Sequence, residues 1–135
     1  MPVNLDFEFF YPLQPVIAVS IRSAVGPRFY QTGAYLDTGA EVTLFDTTVA
    51  VRAGIDITAG RQVTIIGVAG DRIAASLTTV TLRLLDEPEL EVTLPVAFGS
   101  TGDRGFGNLI GLDVLEHFDF AISHRERLGY LGRSA

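Results

Sequence analysis

The 135-residue chain predicts an all-β domain, a closed or nearly closed β-barrel carrying one or two short helices. Three observations carry that reading. Apolar residues recur with a period of two in short runs, the pattern of strands with one face buried. Clusters of Gly, Pro and Asp punctuate the runs, as turns between antiparallel strands require. Helical spacing occurs in only two segments, both short. The length is that of one domain, 1–135, and a 47% hydrophobic composition is enough to fill one core.

The elements follow in order. Leu5, Phe7 and Phe9 alternate with Asp6 and Glu8, a half-buried strand. Pro15 to Arg22 (PVIAVSIR) is nearly all apolar and reads as a second, more buried one. Gly26-Pro27 turns the chain, and Arg28 to Asp37 returns as the third. Val42-Thr43-Leu44-Phe45 is another apolar run. Asp46 is suited to cap a helix over Thr47–Ala53, with Gly54 as its stop. Arg61 to Ser76 reads as a hairpin tipped by Gly67-Val68-Ala69-Gly70. Thr81 to Phe98 reads as another: Leu82 and Leu84 on one arm, Asp86-Glu87-Pro88 at the bend, and Leu90, Val92, Leu94, Val96 and Phe98 in strict alternation on the return. Gly111 to Phe118 has Leu112, Leu115 and Glu116 at helical spacing. Phe118–Ser123 and Arg127–Leu131 read as two last strands joined by a turn. No repeat of fixed period runs through the chain.

Composition removes several function classes. The absence of cysteine excludes disulfides, thiolate zinc sites and a cysteine nucleophile. The two histidines, His117 and His124, have no metal-ligand spacing, so no metal and no cofactor are expected. The net charge is −6 and the basic residues, all arginine, are scattered; there is no basic face for nucleic acid. No apolar run approaches the ~18 residues of a membrane span, and the N-terminal segment is acidic rather than basic. The expectation is a cytoplasmic protein without a membrane partner. Gly99 to Gly107 lacks the lysine and spacing of a phosphate-binding loop and reads as a surface loop. Glu87, Glu89 and Glu91 read as a solvated face, and Asp46 and Asp113 as helix-start residues.

Asp37 is the residue that fits a plain barrel least well. It ends an apolar strand, and another apolar run begins five residues later at Val42. One reading is a turn residue that bonds its own backbone. The other is a prepared acid–base group, since a buried carboxylate needs donors and both a Thr38 hydroxyl and an unobstructed Gly39 N–H lie beside it.

Three stretches bear on the choice. Leu36-Asp37-Thr38-Gly39-Ala40, the hairpin Ile65-Ile66-Gly67-Val68-Ala69-Gly70, and Asn108-Leu109-Ile110-Gly111-Leu112-Asp113-Val114-Leu115 follow one another in an order and spacing that resembles the retropepsin-like aspartic proteases. Together they span Leu36 to Leu115. The resemblance implies a closed acid-protease-like β-barrel with a flap hairpin, and an aspartic endopeptidase acting on extended segments of a peptide or protein substrate. It also implies a homodimer. Such a chain supplies one catalytic aspartate, here Asp37, and no second Asp-Thr-Gly triplet exists in the sequence. By resemblance Thr38 crosses to the other chain and supports the dimer, and Gly39 presents its carbonyl to substrate. Ala40 and Glu41 line the subsites, Gly67, Val68, Ala69 and Gly70 form the flap, and Ile110 packs beneath the active site as part of the substrate-binding set.

Ala40 carries a further implication. A serine there would donate to the carboxylate and favour its ionised form; alanine cannot, so activity nearer neutral pH is expected. One departure concerns Leu112. In the viral relatives a basic residue at that place pairs with an acid just after the catalytic loop, and here Glu41 is left without that partner. Two alternatives stay open beside the peptidase: a catalytically silent binding or dimerisation module on the same fold, and a monomer holding half a site.

Overall fold

A computed structural model describes residues 2–67, 70–102 and 107–134. Along it run β1 (Phe7–Phe10), β2 (Val16–Ser23), β3 (Tyr30–Leu36), β4 (Leu44–Asp46), α1 (Thr47–Ala53), β5 (Arg61–Ile66), β6 (Arg72–Leu84), β7 (Glu91–Gly99), β8 (Asn108–Ile110), α2 (Leu112–Leu115), β9 (Asp119–Ser123) and β10 (Leu128–Gly132). A single 3-10 turn, Pro88–Leu90, links β6 to β7.

The barrel closes through β6. The order of the main sheet is β2-β3-β8-β4-β7-β6-β5, and β2 also pairs with β6, so six strands form a ring. β6 does this because it is long. Its C-terminal half, Val80 to Leu84, pairs with β2, whereas its N-terminal half, Arg72 to Leu77, pairs with β5 and stands clear of the ring. The two hairpins expected from the sequence therefore share one strand. The link between them, Leu77-Thr78-Thr79-Val80, is β-branched at three of its four positions and continues the strand instead of turning.

Inside the ring lies the main core, with Val19, Ile21, Val80, Leu82, Leu84, Val96 and Ile110 at zero exposure. A smaller cluster of Leu44, Ile73, Ala75 and Ala97 lies under the projecting hairpin. Alternation along each strand produces this division, since the pleat sends every second side chain inward.

Most pairings are antiparallel, as the alternation implies, but two are parallel: β3 with β8 and β4 with β7. β8 was not anticipated as a strand. Three residues are too few to display a period, and pairing with β3 alone defines it. α2 is shorter than its pattern suggests. It holds only Leu112–Leu115, because the chain must turn over Glu116 to Phe118 to enter β9.

α1 forms as its sequence dictates. Asp46 accepts from the N–H and hydroxyl of Thr48, and Gly54 closes the helix in the left-handed conformation. The other oxygen of Asp46 accepts from the N–H groups of Thr101 (2.8 Å) and Gly102 (2.9 Å), tying β4 to the end of β7. Partial burial opposes ionisation of this carboxyl. The hydrogen bonds from the Thr48 side chain and from the N–H groups of Gly102, Thr48 and Thr101 outweigh it and hold the group far below the usual carboxylate range. Its contribution to stability is therefore complete above the unfolded value of about 3.9 and is lost as pH falls toward the lower folded value. Asp46→Ala is expected to cost about 2 kcal/mol near neutral pH, cap and loop bonds together. Denaturant melts from pH 7 down to pH 2 check it: the gap between wild type and variant narrows below about pH 4.

Both chain ends join one small sheet, β1-β10-β9. Asp119 fastens it by accepting from the Asn4 N–H (2.9 Å) and the Ser134 hydroxyl. The Ser134 hydroxyl, followed by the Asn4 N–H, holds that carboxyl below its ordinary range.

Candidate active site

Asp37 follows the last residue of β3, and its position is set by the backbone. Leu36 pairs with Ile110 of β8, the Asp37 N–H donates to the Ile110 carbonyl (2.9 Å), and the Leu36 N–H donates to Pro15 (2.8 Å). The chain then bends. The Ala40 N–H returns to the Asp37 carbonyl (3.1 Å), and the Gly39 N–H donates to Asp37 Oδ1 (2.9 Å). One carboxylate oxygen is thus held by backbone while the half-buried side chain still reaches solvent. This local bond is the one an ordinary turn aspartate would make. What distinguishes Asp37 is the surface it faces.

It faces a cleft of about 700 Å³. One wall is the Asp37 loop with Gly39, Ala40, Glu41 and Val42. The β5–β6 hairpin contributes Thr64 to Gly67, Asp71 and Ile73, and Leu44 and Leu109 are also part of the lining. The hairpin thus shares the lining of the cleft with Asp37. Gly67 and Gly70 lie at its turn: the Gly70 N–H donates to the Gly67 carbonyl, and Gly70 has φ +83°, a conformation side chains resist. Val68 and Ala69 lie outside the described residues.

Behind the loop sits a second layer of bonds. Thr43 is fully buried; its hydroxyl donates to Asp113 Oδ1 (2.7 Å) and accepts from the Gly111 N–H (2.9 Å). The Thr43 N–H also donates to Asp113 (3.0 Å). The Ala40 carbonyl accepts from Leu112 (2.8 Å) and the Glu41 carbonyl from Asp113 (3.2 Å). The loop is therefore clamped to the start of α2. Asn108, 8% exposed, extends the clamp by donating to the Gly33 carbonyl (2.9 Å) and accepting from the Asp46 N–H (2.8 Å). Such shells fix the orientation of a reactive group.

The sequence-derived site residues do not all meet at the cleft: besides Val68 and Ala69, which are not described, Gly70 is not among its lining residues. Asp37, Gly39, Ala40, Glu41 and Gly67 line the cleft. Thr38 is exposed, and its hydroxyl makes no hydrogen bond among the described residues. Ile110 is fully buried in the main core and does not line the cleft; its neighbour Leu109 does. The reason is the period of two: β8 in register with β3 sends Ile110 inward with Leu36 and leaves Leu109 to the cleft. Sequence reasoning passed over Thr43 and assigned Asp113 only to a helix start. A hydroxyl within the otherwise apolar Val42–Phe45 run was the available signal. It also left out Asp71, although hairpin geometry places that residue beside Gly67. Among the described residues no group of three or more His, Cys, Asp or Glu is arranged to hold a metal ion.

No protein-family model and no curated protein sequence matches the chain. Solved structures do. A retropepsin-like aspartic protease from Rickettsia conorii superimposes with a TM-score of 0.62 at 18% identity, over 92% of this chain and 98% of that one. The EIAV protease, solved with the inhibitor HBY-793, superimposes with a TM-score of 0.57 at 20% identity, over 86% of this chain and 92% of that one. The closed six-strand ring with its two short helices is thus the retropepsin-like aspartic protease fold.

Proposed function

We propose that the protein is a homodimeric aspartic endopeptidase that hydrolyses extended peptide segments, using a water activated between the Asp37 carboxylates of two chains. The observation that carries this reading is the setting of Asp37: one oxygen fixed by the Gly39 N–H, and the group lining a cleft together with the β5–β6 hairpin. The sequence has a single Asp-Thr-Gly triplet, so the second acid comes from a second copy. Two carboxylates about 3 Å apart share one proton. The ionised member takes a proton from the water, which attacks the peptide carbonyl. The protonated member donates to the carbonyl oxygen, and neither a metal nor a covalent intermediate is called for.

Thr38 and Leu112 support the dimer. Both are exposed, and both are attached to the Asp37 loop. The test is a crystal structure with a peptide carrying a tetrahedral hydroxyl in place of the scissile carbonyl. Two Asp37 carboxylates about 3 Å apart around that hydroxyl are expected. A monomer in solution, with Asp37 facing bulk water and no twin, would overturn the reading.

The pH profile offers a second check. The Ala40 side chain carries no donor, and Ala40→Ser would place one beside Asp37. Its acidic limb is expected to move down by about one pH unit. An unmoved or raised limb, read from peptide cleavage between pH 3 and pH 8, counts against the proposed role of Asp37.

A further inference from the structure

The charge of the cleft is one-sided. Among the described residues its charged lining is Asp37, Glu41 and Asp71, with no arginine. The remaining lining is mainly apolar. Glu41 is the acid best placed to act on a ligand. Its carbonyl is bonded to the Asp113 N–H and the preceding carbonyl to the Leu112 N–H, so the root of its side chain is fixed on the cleft wall. Its carboxylate is exposed and makes no hydrogen bond or ion pair among the described residues.

A carboxylate in this position is well solvated while the cleft holds water. A peptide that fills the cleft removes that water. An apolar side chain against Glu41 then leaves a desolvated charge, and an acidic one adds repulsion. A guanidinium or ammonium group restores the lost interactions through charge-assisted hydrogen bonds. The net charge of −6 adds attraction at longer range for a cationic peptide.

Resting on the peptidase reading above, we propose that the cleft selects peptides with an arginine or lysine side chain close to the scissile bond, and that Glu41 is the residue that sets this preference. Asp37 does the chemistry, whereas Glu41 decides which segment is presented to it.

The test uses peptides identical except at the positions flanking the scissile bond, which carry Arg, norleucine or Glu in turn. At low salt kcat/KM for the Arg peptide is expected to exceed that for the Glu peptide by about 30-fold, and added salt to reduce the ratio. Glu41→Gln is expected to bring the ratio to about 3 or less, and Glu41→Arg to invert it. Circular dichroism of both variants establishes that they are folded. A wild-type ratio already near unity, or a ratio unchanged in Glu41→Gln, overturns the proposal. Calorimetric binding of the same peptides with a hydroxyl at the scissile position separates it from the peptidase reading. Binding that prefers Arg without any cleavage sinks the chemistry and keeps the role of Glu41. Cleavage indifferent to charge does the reverse, and no binding of any peptide overturns both.

Discussion

Asp37→Asn is expected to reduce peptide hydrolysis by about 10³-fold or more while leaving the fold intact. The substitution keeps an oxygen for the Gly39 N–H and changes no volume, so the loop geometry survives. What is lost is the proton traffic, since an amide can neither take a proton from water nor share one with a partner carboxylate. Cleavage of an unfolded protein across pH, with circular dichroism as control, measures both parts. A mixing experiment then asks whether two chains share one site. If equal amounts of wild type and variant are unfolded together and refolded, about a quarter of the dimers are wild type on both sides. Activity near a quarter of the all-wild-type value means that the mixed dimers are dead and both carboxylates are needed. Activity near half means that each chain works alone, and the shared-water mechanism fails.

Gly111→Ala is expected to be the most damaging small substitution in the loop layer behind Asp37, costing about 3 kcal/mol of stability. A methyl group there would lie 2.7 Å from the Ala40 carbonyl oxygen and 2.9 Å from the Val42 carbonyl carbon. Both contacts are backbone, so no side chain can rotate away. Relief must come from moving the loop that carries Asp37, or from breaking the bond between the Gly111 N–H and Thr43. Stability and activity should fall together. Chemical denaturation gives the first and kcat the second. A variant with wild-type stability would show that the loop yields at no cost, and would remove Gly111 as a reason for the rigidity of the site.

Much of the fold was legible because short-range chemistry repeats in sequence. Asp46 followed by a helical run and Gly54 announces a capped helix, and the structure has one. Alternation from Leu90 to Phe98 announces a strand, and β7 occupies that stretch. A carboxylate, a hydroxyl and a glycine at the end of an apolar strand drew attention to Asp37. The Thr43–Asp113 clamp did not stand out, because its partners are 70 residues apart and neither belongs to a periodic pattern. That Leu109 and not Ile110 lines the cleft was hidden for a related reason. Which of two adjacent apolar residues faces a cleft depends on register with a strand far away in the chain, and a shift of one residue exchanges them.

The sequence by itself determined the class of fold and the short helix with its caps, and it marked Asp37 as the acid at the end of an apolar strand. These follow from local propensity, solvation and a period of two, all of which act over a few residues. Only the tertiary structure decided that β6 serves two hairpins at once, that β3 and β8 pair in parallel, and that the cleft wall contains Leu109 and Asp71. Those outcomes depend on which strands meet and in what register, and the energy that chooses among the possibilities is spread over contacts between segments the chain keeps far apart.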